Sequence, residues 1–243
     1  VGREALHANT TADNNVAVGK HAMRANTTGH SNVAVGKDAM LVNSTGVENT
    51  AVGALALDAN TTGSSNTAVG QAAMSSNTTG SDNTALGKSA LASNTTGVNN
   101  TAIGESALGV NSTGSENVAV GETSLDANST GVSNTALGRA SLSANTTANG
   151  NTAVGESAMR FSTTSPHNVA VGSSTLDAAL TGNGSNVAVG KEAMTDATTS
   201  ETCVAVGALA LENVTTGGNN IAIGFDALGD LTTVSSMTAI GHE

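Results

Sequence analysis

With two Phe, no Trp or Tyr, one Pro and 29 Gly in 243 residues, the chain lacks the aromatic mass that fills ordinary globular cores. Charged residues are only 11%, against about 25% in typical domains, and the net charge of −11 with eight scattered Lys and Arg excludes a basic stripe for nucleic acid. No apolar run reaches the length of a transmembrane helix.

In chain order, one glycine returns at a fixed interval: Gly2, Gly19, Gly36, Gly53, Gly70, Gly87, Gly104, Gly121, Gly138, Gly155, Gly172, Gly190, Gly207, Gly224 and Gly241. Each step is 17 residues except Gly172 to Gly190, which is 18. Such periodicity marks a solenoid, whose units are too small to bury an apolar face without their neighbours. Counted from its Asn, the unit reads N-T/V-A-V/I/L-G-x-x-A-L/M-x-x-N-T/S-T-G-x-x.

Positions one to five predict a short strand with β-branched residues on one face and Ala on the other. The x-x-A-L that follows predicts a second short strand, and N-T-T-G a turn. Gly and Asn-Thr-Thr interrupt the pattern too often for helices, and helical repeats run longer, at about 33 residues or more. The expected architecture is all-β: a parallel β-solenoid, or β-roll, of 17-residue coils over 1–243 as one array of about 14 coils. The hydrogen-bonded strand spacing would make this a rod of roughly 65–70 Å.

Stacking places like on like. The expected core ladder is Val18, Val35, Val52, Val69, Leu86, Ile103, Val120, Leu137 and Val154 at position four, with Leu57, Leu91 and Leu108 at position nine. The corner glycines Gly19, Gly36, Gly53, Gly70, Gly87 and Gly104 predict positive φ or close approach. Asn60, Asn77 and Asn94 predict amide ladders along the turn. Because Ala17, Ala34, Ala51, Ala68, Ala85, Ala102, Ala119 and Ala136 would face away from the Val ladder, they are expected to pack against partner chains, most simply as a homotrimer; the alternative is a monomeric solenoid with an internal Ala layer. A core this thin needs such help.

Residues 1–160 hold regular repeats, and 161–243 hold degenerate turns, starting at Phe161 and including an extra residue near Thr181–Ser185. Cys203, the sole cysteine, takes the Asn slot as filler and excludes an internal disulfide. The chain starts and stops inside a repeat, without initiator Met, signal peptide or polar caps, so a segment of a longer fibre is expected.

The repeat N-[TV]-A-[VIL]-G-x-x-[AS] resembles the head repeats of YadA-like trimeric autotransporter adhesins, and Asn94-Thr-Thr-Gly-Val-Asn-Asn-Thr-Ala-Ile-Gly104 resembles repeat shafts of phage tail fibres. That resemblance covers the whole chain. It implies a left-handed parallel β-roll in each chain, three intertwined or packed chains, and an extracellular setting on a virion or a bacterial surface.

No catalytic constellation is expected, since His7, His21, His30, His167 and His242 form no row and no serine has a paired His and Asp. Asp58, Asp126 and Asp196 lie too far apart for a Ca²⁺ site, so no metal or cofactor is expected. The nine Asn-Thr/Ser-Thr sequons between Asn9 and Asn145 would crowd glycans at about 4.8 Å, which favours a turn role. The expected function is a non-enzymatic shaft projecting a receptor-binding tip, its partners being its own copies and other virion or cell-surface components. Alternatives are a roll that itself adheres to host receptor or matrix, and an ice-binding solenoid; the adjacent turn threonines Thr61 and Thr62 fit the latter poorly.

Overall fold

A computed structural model describes residues 1–242. The chain forms two compact units, Val1–Asn117 and Val118–Glu243. Among the described residues, unit 1 carries six three-residue strands: β1 (Val16–Val18), β2 (Val33–Val35), β3 (Thr50–Val52), β4 (Thr67–Val69), β5 (Thr84–Leu86) and β6 (Thr101–Ile103). Unit 2 carries β7 (Val118–Val120), β8 (Thr135–Leu137), β9 (Thr152–Val154), β10 (Val169–Val171), β11 (Val187–Val189), β12 (Val204–Val206), β13 (Ile221–Ile223) and β14 (Thr238–Ile240). Within each unit, consecutive strands pair in parallel and in register, alanine beside alanine, as in Ala51 with Ala68 and Ala153 with Ala170. Each unit is therefore a parallel β-solenoid of 17-residue coils without helices among the described residues. The one 18-residue step leaves the register intact, since β10 still pairs Ala170 with Ala188.

The second strand expected at x-x-A-L is replaced by a ribbon of tight turns. His21 and Met23 adopt left-handed backbone, at φ 59° and 48°, and the same two positions do so in the coils that follow. Hydrogen bonds then alternate. The N–H groups of Ala22, Arg24 and Asn26 donate within the coil to Gly19, His21 and Met23, while those of Met23 and Ala25 donate to Ala39 and Leu41 of the next coil. In a strand, adjacent side chains point to opposite faces. Left-handed residues break that alternation, so Ala73 and Met74 are both fully buried.

The strand faces are reversed from expectation. The alanines from Ala17 to Ala136 line the interior of their own coil, and Ala34, Ala51, Ala68, Ala85 and Ala102 are wholly inaccessible. They are not an interchain contact. Val18, Val35, Val52, Val69, Leu86 and Ile103 in unit 1, and Val120, Leu137 and Val154 in unit 2, point outward and are half-buried or exposed; Leu86 is 48% exposed. The reason is space: the interior of each coil already holds the buried Leu or Met of position nine, which leaves room on the strand side for a small residue. Leu57, Leu91 and Leu108 fill the space opposite and are fully buried.

Gly87 shows why the corner needs glycine. Its φ is +141°, and a Cβ there would lie 2.4 Å from the Gly104 carbonyl oxygen in the next coil. At the far turn, the N–H groups of Thr61 and Thr62 and the Thr61 hydroxyl all donate to the single carbonyl of Thr78. Coils are thereby tied at the turn ribbon and at the far turn as well as along the strand ladder.

Candidate functional site

Two columns of buried asparagine run through the coil stack of unit 1 and enter that of unit 2. At position twelve of unit 1, each Nδ2 donates to the Oδ1 one coil back: Asn60 to Asn43 at 2.8 Å, Asn77 to Asn60 at 2.9 Å and Asn94 to Asn77 at 2.8 Å. Its second hydrogen goes to the glycine carbonyl three residues on, as from Asn60 to Gly63 at 2.9 Å. At position one, Asn66 donates both its backbone N–H and its Nδ2 to Asn49 Oδ1, and Nδ2 also to Gly80 O. A buried amide is tolerated only with such partners. The sequon asparagines are thus committed inside the fold, and Asn43, Asn60 and Asn77 present no accessible amide for a glycan.

The position-twelve column stops in unit 2 at Asn145. Its Nδ2 bonds Asn128 at 2.9 Å, but its Oδ1 has no partner, because the next coil offers Ser162, whose hydroxyl is also buried and unpartnered. Beyond it, Leu180, Ala197 and Val214 occupy the slot, all fully buried. The degenerate turns of 161–243 therefore exchange an amide column for an apolar one. The extra residue is absorbed just before Leu180, whose N–H turns back to Ala178 O, and Thr181 N–H rejoins the regular bond to Thr198 O.

No group of three His, Cys, Asp or Glu able to hold a metal occurs among the described residues. His21 sits between Asp38 at 2.8 Å and Glu4 at 3.7 Å, in consecutive coils. His242 stacks on Phe225, with ring centroids 5.1 Å apart. Burial pushes the Cys203 thiol up, and its Sγ faces the Gly217 carbonyl at 3.5 Å; this is a packed slot without thiolate character. A recess of about 360 Å³ in unit 2, between Asp226–Leu231 and Ala239–His242, and one of about 320 Å³ beside His7, Arg24 and Val42 are lined mainly by backbone and aliphatic atoms. Neither brings a nucleophile to a base. No helix among the described residues is long and apolar enough to cross a membrane.

The distinctive surface is the outward strand face. In unit 1, position two presents Val16, Val33, Thr50, Thr67, Thr84 and Thr101, and position four presents Val18, Val35, Val52, Val69, Leu86 and Ile103. In unit 2 the same two positions carry Val, Thr, Leu and Ile. The stiff β-branched side chains stand in rows one strand spacing apart, about 4.8 Å. On this face Val16, Val18, Val52, Leu86 and Ile103 each keep more than a third of their surface accessible. Aliphatic side chains left exposed side by side, coil after coil, mark a candidate interaction surface. The residue types were plain in the sequence; their orientation was not. The clue was the invariance of Ala at position three beside varied neighbours at two and four, since an interior of fixed width tolerates one volume only.

No protein-family model matches the chain, and no curated protein matches it either.

Proposed function

We propose that this chain is a non-enzymatic structural element, the repetitive shaft of an extracellular homotrimeric fibre of phage tail-fibre or bacterial-adhesin type. In that role it holds a receptor-binding tip away from a virion or cell surface. One observation carries the reading: an aliphatic strand face that each unit builds regularly and leaves open. Copies meeting there bury the surface that the thin coil cannot bury alone, through Val, Leu and Ile rather than through the alanines. The interlocked amide columns supply stiffness along the stack, and the polar, sparsely charged turns face solvent. Sedimentation of the full chain tests this directly. The expected mass is three times 23.5 kDa, and Val52→Lys with Leu86→Lys should release folded single chains. A wild-type chain that stays monomeric at high concentration overturns the reading.

A second reading draws on a specific feature of the same face. Thr50, Thr67, Thr84 and Thr101 form a strand row pointing outward, the placement an ice-binding surface needs and the turn threonines lack. The neighbouring row grows from Val to Leu and Ile, which roughens the plane and disfavours a lattice match. Thermal hysteresis by the dilute chain would select this reading. Adhesion of the chain to host polymers without a tip would instead select the adhesive-head alternative.

A further inference from the structure

The chain contains two Asn-Gly pairs, Asn149-Gly150 and Asn183-Gly184, both between strands of unit 2. In such a pair the glycine nitrogen readily reaches the preceding side-chain amide, because no Cβ blocks the approach. Both asparagines are exposed, so exposure does not separate them. Hydrogen bonding does. Val132 N–H donates to Asn149 Oδ1 at 2.8 Å, and Gly150 N–H donates to Val132 O at 3.1 Å, so both reacting groups are held. In the 18-residue coil, the Asn183 main-chain N–H donates to Glu201 Oε1 at 2.9 Å. Its side-chain amide and the Gly184 N–H have no hydrogen-bond partner among the described residues. Gly184 is covered by Pro166 and has φ +77°, and a Cβ there would collide with the Pro166 carbonyl. The fold thus demands the very glycine that makes the pair reactive.

We infer that Asn183 is a site of spontaneous, irreversible deamidation, from which the fold shields Asn149. The Gly184 nitrogen attacks Cγ of Asn183. The N–Cγ bond forms, the Cγ–Nδ2 bond breaks, and ammonia leaves carrying the main-chain amide proton. Water then opens the cyclic imide at either carbonyl, giving aspartate or isoaspartate; one water is consumed for each ammonia released, without oxidant or cofactor. Turning the Gly184 nitrogen toward the side chain breaks no hydrogen bond, whereas Gly150 must first give up its bond to Val132. Either product sets a new carboxylate in the loop that Glu201 already faces. Isoaspartate also adds one main-chain atom to the coil that carries the extra residue, so an aged chain is marked there.

The test incubates the full chain at mildly alkaline pH and digests it with trypsin. Cleavage after Arg139, Arg160 and Lys191 places the two pairs in separate peptides, 140–160 and 161–191. Electron-transfer fragmentation, which distinguishes the two acids, should find both aspartate and isoaspartate at position 183. Reaction at Asn149 should be slower by about ten-fold or more, the rate equivalent of the bonds that must open first. In the urea-unfolded chain the two asparagines should react at matching rates. Asn183→Gln should remove the modification from peptide 161–191, since the longer side chain closes its ring far more slowly. Equal rates in the folded chain, a difference that persists in urea, or aspartate without isoaspartate overturns the inference.

Discussion

Asn94 donates from Nδ2 to Asn77 Oδ1 at 2.8 Å, and its own Oδ1 accepts from Asn111 Nδ2 at 2.9 Å. Each amide in this column is donor on one side and acceptor on the other, so its polarity is fixed along the stack. Asn94→Asp keeps the shape and removes the donor, setting a buried carboxylate against Asn77 Oδ1 and Gly97 O. At pH 7 the variant should lose about 4 kcal/mol, the cost of an uncompensated buried charge. Its folded-state pKa is then raised above the unfolded value, so the folded variant binds the extra proton and its stability recovers as pH falls. Urea unfolding at pH 7 and pH 4 checks this. Equal loss at both pH values would mean that donor polarity is not what the slot requires.

The end of the column predicts a gain. Asn145 Oδ1 and Ser162 Oγ are both buried without partners. Ser162→Asn should extend the column by one coil, pairing Asn145 Oδ1 and leaving one orphan in place of two. A gain of about 1 kcal/mol is expected from one recovered buried bond, read as a higher denaturant midpoint at unchanged m-value.

Backbone conformation separates two substitutions that look alike on paper. Gly87→Ala puts a methyl against the Gly104 backbone at a strained φ, and should destabilise by about 3 kcal/mol or prevent coil closure. Leu55 has φ 59° and is 40% exposed. Leu55→Asn should raise stability by about 1 kcal/mol, because Asn accepts left-handed backbone more readily. Thermal melts of both variants give the comparison.

Asp58 supplies a pH dependence. Burial, reinforced by the negative charge of Asp38, holds its carboxyl above the usual range, and its Oδ1 has no partner. A raised carboxyl means the folded chain binds more protons than the unfolded chain just above the ordinary carboxylate range. The contribution of Asp58 to stability therefore falls as pH rises through that window. Asp58→Asn should raise the melting temperature at pH 7 and flatten the profile just above the ordinary carboxylate range; a profile as steep as wild type would assign the slope to other groups.

From the sequence alone came the period, the absence of helices, the corner glycines and the asparagine columns, because each depends on spacing and on residues with few conformational uses. A glycine at every coil and an amide in every turn leave little choice of backbone. Which way the strand faces was decided only by the tertiary structure. Thr-Ala-Val alternates equally well in either orientation, and a three-residue strand carries too little apolar area to choose. The filled interior made the choice, admitting alanine beside the buried Leu and Met of position nine and leaving Val, Leu and Ile outside. The turn ribbon itself was equally hidden, since left-handed Leu and Met have no mark in composition; they are held there by bonds to the next coil, as from Leu57 N–H to Ala73 O, and within their own, as from Asn60 N–H to Leu57 O.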